Sequence, residues 1–415
     1  MLATRENLVP DVAFADVAGR TVLVRADLNV PMLGGRITDN TRISRFAPAV
    51  ATLVSRGARV VVMTHLGRPA AEYNPIFSTR PVAEVLSAAL QCDVRFVPDC
   101  VGNAAERSVG ALPPGGVALL ENLRFHKGEI DNNLAFARRL SILGDIYVND
   151  AFSCSHRAHA STHAIAGLMP ACAGPSLLAE IAALQKALDA AHRPVTAIVG
   201  GAKVSTKIEI LKNLVGKVDT LVIGGGMANT FLFARGLSVG ASLCEKNAAA
   251  TVREIEAAAQ KSGCRILLPR DVVVSRRFVA NEACETVLVD AISDDVMALD
   301  IGDASRREIG EALRQSRTVL WNGPLGAFEM PPYGDGTFSV ARITAGLTRR
   351  GALRSVAGGG DTVAALITAG VDQDLTYVST AGGAFLDWLE GRPLPGIEAL
   401  KSSQHQLKGD VTWLG

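Results

Sequence analysis

Thr21-Val22-Leu23-Val24-Arg25-Ala26-Asp27-Leu28-Asn29-Val30-Pro31 is the stretch on which the fold reading turns. Thr21–Arg25 is an aliphatic, β-branched run of strand length, as expected of a strand covered on both faces in a parallel sheet. Directly behind it come an arginine, a carboxylate and an amide. The same order, apolar run then polar cluster, recurs three times in the first half. Arg59–Met63 leads into Thr64-His65-Leu66-Gly67-Arg68-Pro69, and Val117–Leu120 into Glu121-Asn122-Leu123-Arg124-Phe125-His126. Asp145–Val148 leads into Asn149-Asp150-Ala151-Phe152, with His156-Arg157-Ala158-His159 shortly after. Helix-like segments Thr41–Arg56, Pro81–Leu90 and Asn132–Leu143 lie between these runs.

The rhythm continues in the second half with Val195–Val199, Thr220–Ile223, Arg265–Leu268, Thr318–Trp321, Leu353–Val356 and Thr376–Ser379. Two sets of buried strands separated by helices predict an α/β chain of two doubly wound, Rossmann-like parallel-sheet domains. Leu177, Ile181, Leu184 and Leu188 recur at helical spacing, so Ser176–Ala191 is expected to be a helix joining them. The boundaries expected are 1–172, a connecting helix at 173–192, and 193–397. A length of 415 residues agrees with two or three domains of roughly 150 residues.

Composition narrows the classes. Forty-two basic against 41 acidic residues leave a formal charge of +1, which gives no global attraction to nucleic acid or membrane. The most apolar segment, Ala164–Ala179, is broken by Pro170 and Pro175 and falls short of the ~20 residues a membrane span needs. The first ten residues carry Arg5 and Glu6 and no apolar core, unlike a secretory signal. Seven scattered cysteines, odd in number and without C-x-x-C spacing, point to reduced thiols and a cytoplasmic location.

Ligands of open parallel sheets bind beyond the carboxyl ends of the strands, so the clusters quoted above are the candidate site. Four successive strand ends of the first half deliver Arg or His, and Arg42 follows at a helix start. Arginine offers a planar fork for phosphate and carboxylate oxygens, which points to a small, multiply anionic molecule. A solvated surface with an arginine bias is the alternative, since this half holds sixteen Arg and one Lys.

The second half reads differently. Gly200-Gly201-Ala202-Lys203-Val204-Ser205-Thr206-Lys207, Gly224-Gly225-Gly226-Met227-Ala228-Asn229-Thr230 and Gly358-Gly359-Gly360-Asp361-Thr362 each follow a strand and run into a helix. Glycine lets backbone amides approach a phosphate, and a helix N-terminus favours the negative charge. Lys203 and Lys207, spaced a helical turn apart, add cations. None of the three matches a Walker P-loop or the dinucleotide fingerprint. Trp321-Asn322-Gly323-Pro324-Leu325-Gly326 leaves another strand, with Glu329 behind it. Asp361 is the hard oxygen ligand that a phosphate-bridging metal needs, or else the N-cap of a helix starting at Thr362. His156, His159 and His163 lack an acid or cysteine to complete a zinc shell. Cys154 reads as a small buried residue rather than a nucleophile.

In order and spacing these motifs resemble those of phosphoglycerate kinase, from about Arg20 to Leu400. The resemblance implies a hinge-bending, two-domain glycolytic enzyme that reversibly transfers the acyl phosphate of 1,3-bisphosphoglycerate to ADP, giving 3-phosphoglycerate and ATP with Mg²⁺. It assigns the phosphoglycerate to Asp27, Leu28, Asn29, Arg42, His65, Leu66, Gly67, Arg68, Arg124 and Arg157. It assigns the nucleotide to Lys203, Lys207, Asn322, Glu329, Gly359, Gly360, Asp361 and Thr362, with Asp361 on the metal. Arg42 and Lys203 are the catalytic cations, and the tail 398–415, with Trp413 and Leu414 as anchors, packs back on the first domain. Only small-molecule partners, no nucleic acid, no membrane and a monomer are expected. The chain departs from the family pattern at Ser153-Cys154-Ser155, where Gly-Thr-Ala is familiar, at Thr64 for Ser, Asp303 for Pro, and Ala381 for Gly. A nicotinamide dehydrogenase and a non-catalytic nucleotide-binding scaffold are the other classes open to such a fold. Acyl-phosphate-dependent ATP formation separates them.

Overall fold

A computed structural model describes residues 9–187, 192–379 and 381–403. The chain forms two compact units, 1–181 with 393–415, and 182–392. In chain order the first unit carries β1 (Thr21–Ala26), a short hairpin of β2 (Met32–Leu33) and β3 (Arg36–Ile37), β4 (Arg59–Met63), β5 (Val94–Val97), β6 (Val117–Leu120), β7 (Ile146–Asp150) and β8 (Ala171–Ala173). Six of these form one parallel sheet in the order β5-β6-β4-β1-β7-β8. All six residues of β1 are buried, and so are Val60, Val61 and Val62 of β4. Both faces of these strands are covered, which explains the unbroken apolar runs. The covering helix Thr41–Ser55 turns Ile43, Phe46, Ala47, Val50 and Leu53 inward, at the spacing of one helical face.

The second unit repeats the plan with β9 (Val195–Val199), β10 (Thr220–Ile223), β11 (Arg265–Leu267), β12 (Asp271–Ser275), β13 (Glu285–Leu288), β14 (Met297–Ile301), β15 (Thr318–Asn322), β16 (Arg354–Gly358) and β17 (Tyr377–Ser379). Its parallel sheet runs β11-β10-β9-β15-β16-β17. A second, antiparallel sheet, β13-β12-β14, was not expected from the sequence.

The helix expected at Ser176–Ala191 runs from Pro175 to Ala187, and residues 188–191 lie outside the described chain. Helix Pro395–Ser403 belongs to the first unit, where it contacts β8 and the 3-10 turn Ala164–Gly167. The rest of the expected tail, with Trp413 and Leu414, lies outside the described residues. Among the described residues no helix is long and apolar enough to cross a membrane.

Candidate functional site

In the first unit the four strands β6, β4, β1 and β7 are consecutive neighbours, so their carboxyl ends form one shelf. On it the Asp27 carboxylate accepts hydrogen bonds from Arg42 Nη1 and Ser153 Oγ. Asn29 Oδ1 accepts from the Gly67 amide at 2.8 Å. The Leu28 amide donates to Thr64 Oγ1, whose hydroxyl donates to the Ala26 carbonyl, both at 3.0 Å. The Thr64 hydroxyl thus ties the ends of β1 and β4 together.

Leu28 and Leu66 are buried and contribute through backbone. The Leu66 carbonyl accepts from Asn122 Nδ2 and the Gly67 carbonyl from Arg124 Nη1, both at 2.7 Å. Gly67 has φ +60°, and a Cβ there would run into the Phe77 ring, so only glycine fits the turn. Arg68 and Arg157 are exposed, and Arg157 Nε lies 3.2 Å from His156 Nε2.

The shelf is electrostatically positive. Arg25 is fully buried, with Nε donating to Ser161 Oγ at 3.0 Å and Nη2 lying 3.1 Å from His65 Nδ1. A guanidinium only donates, so Nδ1 must accept and Nε2 carries the proton. Burial first, then Arg25 and Arg124, hold the His65 imidazole well below its usual pKa. His159 is pushed down to about 4 by burial and by Arg124, Arg25 and Arg157. The guanidinium charges that add to burial in keeping both imidazoles neutral also attract an anion.

In the second unit β10, β9, β15, β16 and β17 are likewise neighbours, and their carboxyl ends carry the glycine loops. Lys207 Nζ donates to the Gly200 carbonyl and to Asn322 Oδ1, both at 2.6 Å. Asn322 Nδ2 donates to the Gly358 carbonyl at 2.8 Å, and the Gly323 amide to Thr362 Oγ1 at 2.7 Å. Lys207, Asn322 and Thr362 therefore tie three strand ends together. Burial pushes the Lys207 amine down to about 8 against the raising effect of Asp361.

Two expectations need correcting here. Lys203 and Lys207 do not share a helix face: the helix starts at Ile208, with Lys207 at its N-cap and exposed Lys203 in the turn before it. The helix after the third loop starts at Gly360 with Gly359 as N-cap, so Asp361 lies in its first turn and caps nothing. Part of the glycine pattern is also structural, since a Cβ on Gly200 would collide with the Pro324 carbonyl. Asp361, Gly360 and Glu329 are exposed and Gly359 is partly so.

Sequence reasoning overlooked Ser153 as a partner of Asp27, although the departure at 153–155 marked the place. It also missed that Arg25 faces inward as the anchor of His65. Cys154 is buried, as expected, with Sγ 3.5 Å from Arg25 Nη2 and 3.9 Å from His65 Nδ1. His163 Nδ1 lies 3.1 Å from Asn132 Nδ2. Among the described residues, the groupings of metal-ligand type are Asp27–His65–Cys154 and Asp99–Cys100–His126, not the three histidines.

A sequence model described as phosphoglycerate kinase matches residues 12–392. A phosphoglycerate kinase of Methylorubrum extorquens is 56% identical over 384 residues, covering 92% of this chain and 96% of that protein. One from Rhizorhabdus wittichii is 55% identical over 387 residues, covering 93% and 98%. The solved phosphoglycerate kinase of Coxiella burnetii superposes with a TM-score of 0.89 at 40% identity, covering 95% of this chain and 99% of that one. The Pyrococcus horikoshii enzyme gives 0.76 at 29% identity, covering 96% and 100%.

Proposed function

The chain belongs to the phosphoglycerate kinase family, and on that premise we propose which of its residues carry the reaction. The protein is a glycolytic kinase that reversibly transfers the acyl phosphate of 1,3-bisphosphoglycerate to ADP, giving 3-phosphoglycerate and ATP. The shelf of the first unit holds the phosphoglycerate. Arg68, Arg124 and Arg157 take its phosphate and carboxylate oxygens, Asp27 and Asn29 its hydroxyl, and His65 donates from Nε2. Leu28, Leu66 and Gly67 shape the backbone around it. The observation that supports this most is geometric: Arg25, Arg42 and Arg124 are held on one shelf against His65, Asp27 and the Gly67 carbonyl.

The loops of the second unit hold the nucleotide. Lys203 and the amides of Gly359 and Gly360 meet its phosphates, Glu329 its sugar, and Lys207, Asn322 and Thr362 fix the loops and meet the phosphates from behind. Asp361 suits Mg²⁺, since it is an exposed carboxylate whose oxygens accept no hydrogen bond among the described residues. An ion held by Asp361 would neutralise charge on the nucleotide's phosphates.

Phosphoryl transfer asks the protein for position and charge rather than for covalent chemistry. Arg42, held on Asp27, and Lys203 act as cations on the transferring group. The acceptor is a phosphate oxygen of ADP, so no side chain has to remove a proton. We take the cytoplasm as its compartment, a reading the glycolytic role of the family supports, and the single chain as the working unit. An ADP-dependent coupled assay tests the reading: ATP must form only when the acyl phosphate is supplied. A nicotinamide-dependent turnover, or no turnover, overturns it.

A further inference from the structure

Away from the shelf residues just assigned, the first unit gathers a second set of ligand-type side chains. Asp99 and Cys100 follow β5, and His126 follows the 3-10 turn after β6. β5 and β6 pair in parallel from Val94–Val117 to Val97–Leu120, so their carboxyl ends lie side by side. One ligand atom of each of the three residues lies within 4.8 Å of the other two.

Each donor is prepared in a particular way. Asp99 Oδ1 is occupied, accepting from the Cys100 amide at 2.7 Å and lying 2.8 Å from His126 Nε2. Oδ2 has no hydrogen bond among the described residues. Cys100 is 1% exposed, and its Sγ also makes no hydrogen bond among the described residues. The His126 ring is held against Phe136 with centroids 5.2 Å apart.

We propose that Asp99, Cys100 and His126 form a site for a thiolate-seeking divalent cation of the zinc type. Three protein ligands with sulfur, imidazole and carboxylate donors and an open fourth position are a zinc set, not a magnesium one. Binding releases the Cys100 thiol proton to solvent, and the cation takes the place of the proton between His126 Nε2 and Asp99 Oδ1 as the neutral ring goes over to its Nδ1–H tautomer. Bond lengths of about 2.0–2.3 Å require tetrahedral donors to sit roughly 3.3–3.8 Å apart, so a donor pair as far as 4.8 Å apart closes by about 1.0–1.5 Å, while Asp99 Oδ1 and His126 Nε2, at 2.8 Å, part by about half an ångström. Asp99 and His126 have side chains 44% and 30% exposed, and so have room to move.

No guanidinium donates to any of the three side chains among the described residues. The other grouping, Asp27–His65–Cys154, is the contrary case, because the Arg25 guanidinium already sits on both His65 and Cys154.

The proposal is independent of the residue roles in phosphoryl transfer, and its test reads metal binding rather than activity. Metal-free full-length enzyme is titrated with Co²⁺ and followed by absorption. The expected result is a thiolate-to-cobalt charge-transfer band that one equivalent of Zn²⁺ removes. Cys100→Ala should abolish the band, His126→Ala should weaken Co²⁺ binding at least tenfold, and Cys154→Ala should leave it unchanged. Circular dichroism checks the fold of each variant, and His126→Ala decides if Cys100→Ala does not fold. No charge-transfer band in the wild type, a band that survives loss of Cys100, or Co²⁺ binding by His126→Ala as tight as in the wild type overturns the site. A band lost in Cys154→Ala moves it elsewhere and overturns it equally.

Discussion

Arg42 is held in place before any ligand arrives. Its Nη1 donates to the Asp27 carboxylate, while a third of its side chain remains open to solvent. A cation so positioned meets charge that develops on the transferring group, and such a contact raises turnover more than ground-state affinity. Arg42→Ala is therefore expected to lower kcat by on the order of 10²-fold while KM for 3-phosphoglycerate changes little. Steady-state kinetics in the direction of ATP consumption give both constants. A rise in KM with kcat intact makes Arg42 a ground-state ligand instead. Which residues are polar and follow a strand was readable from the chain, and so was the arginine bias of this half. Which way each arginine turns was not. Arg25 and Arg124 stand in similar motifs, yet one is sealed inside on His65 and Ser161 and the other only half so, a difference set by tertiary packing.

Elements show the same division. The long, unbroken runs that became β1, β4, β9 and β15 were legible because they are buried on both faces. β8 is three small residues behind a proline, and β13 is almost wholly exposed, so neither carries a strand-like apolar run. Only three residues separate β11 from β12, and the two runs merge on reading. A buried cap at the helix Pro175–Ala187 was also hidden in sequence. Asp150, at the end of β7, accepts from the Ser176 and Leu177 amides at 2.6 and 3.1 Å and from Ser176 Oγ at 2.9 Å. Burial outweighs these bonds and pushes its pKa up to about 6. A carboxyl raised above its unfolded value of about 3.9 binds its proton more tightly in the folded state. Its protonation thus stabilises the fold below about pH 4, and that contribution is lost as pH rises through about 6. Replacing it by the neutral amide removes this dependence. Stability of Asp150→Asn relative to the wild type should then rise between pH 4 and pH 7 by about 2 kcal/mol. Urea titrations across that range measure it, and a difference that stays flat refutes the assignment.

At the scale of the molecule, the first unit is completed by a segment from the far end of the chain. Helix Pro395–Ser403 buries Ile397 and Leu400, and the Gly396 amide donates to the Ser155 carbonyl at 2.9 Å. With Leu394 this places three apolar side chains in the unit, on the order of 5 kcal/mol of burial. Removing residues 393–415 is expected to destabilise the first unit by about that amount while ADP affinity is kept. Thermal unfolding with and without ADP distinguishes the two units. That the chain makes two parallel-sheet units was plain from the repeating rhythm, whereas this return was implied only by family resemblance, since nothing local in Pro395–Ser403 says where it docks.

The central claim is that one unit recognises phosphoglycerate and the other the nucleotide. The most direct measurement is a crossed calorimetric titration of ADP and 3-phosphoglycerate into Arg68→Ala and Lys203→Ala. Both side chains are exposed, so their loss should leave the fold intact. The account predicts that Arg68→Ala weakens 3-phosphoglycerate binding about tenfold or more with ADP unaffected, and that Lys203→Ala does the reverse. Either variant losing both ligands equally would contradict it.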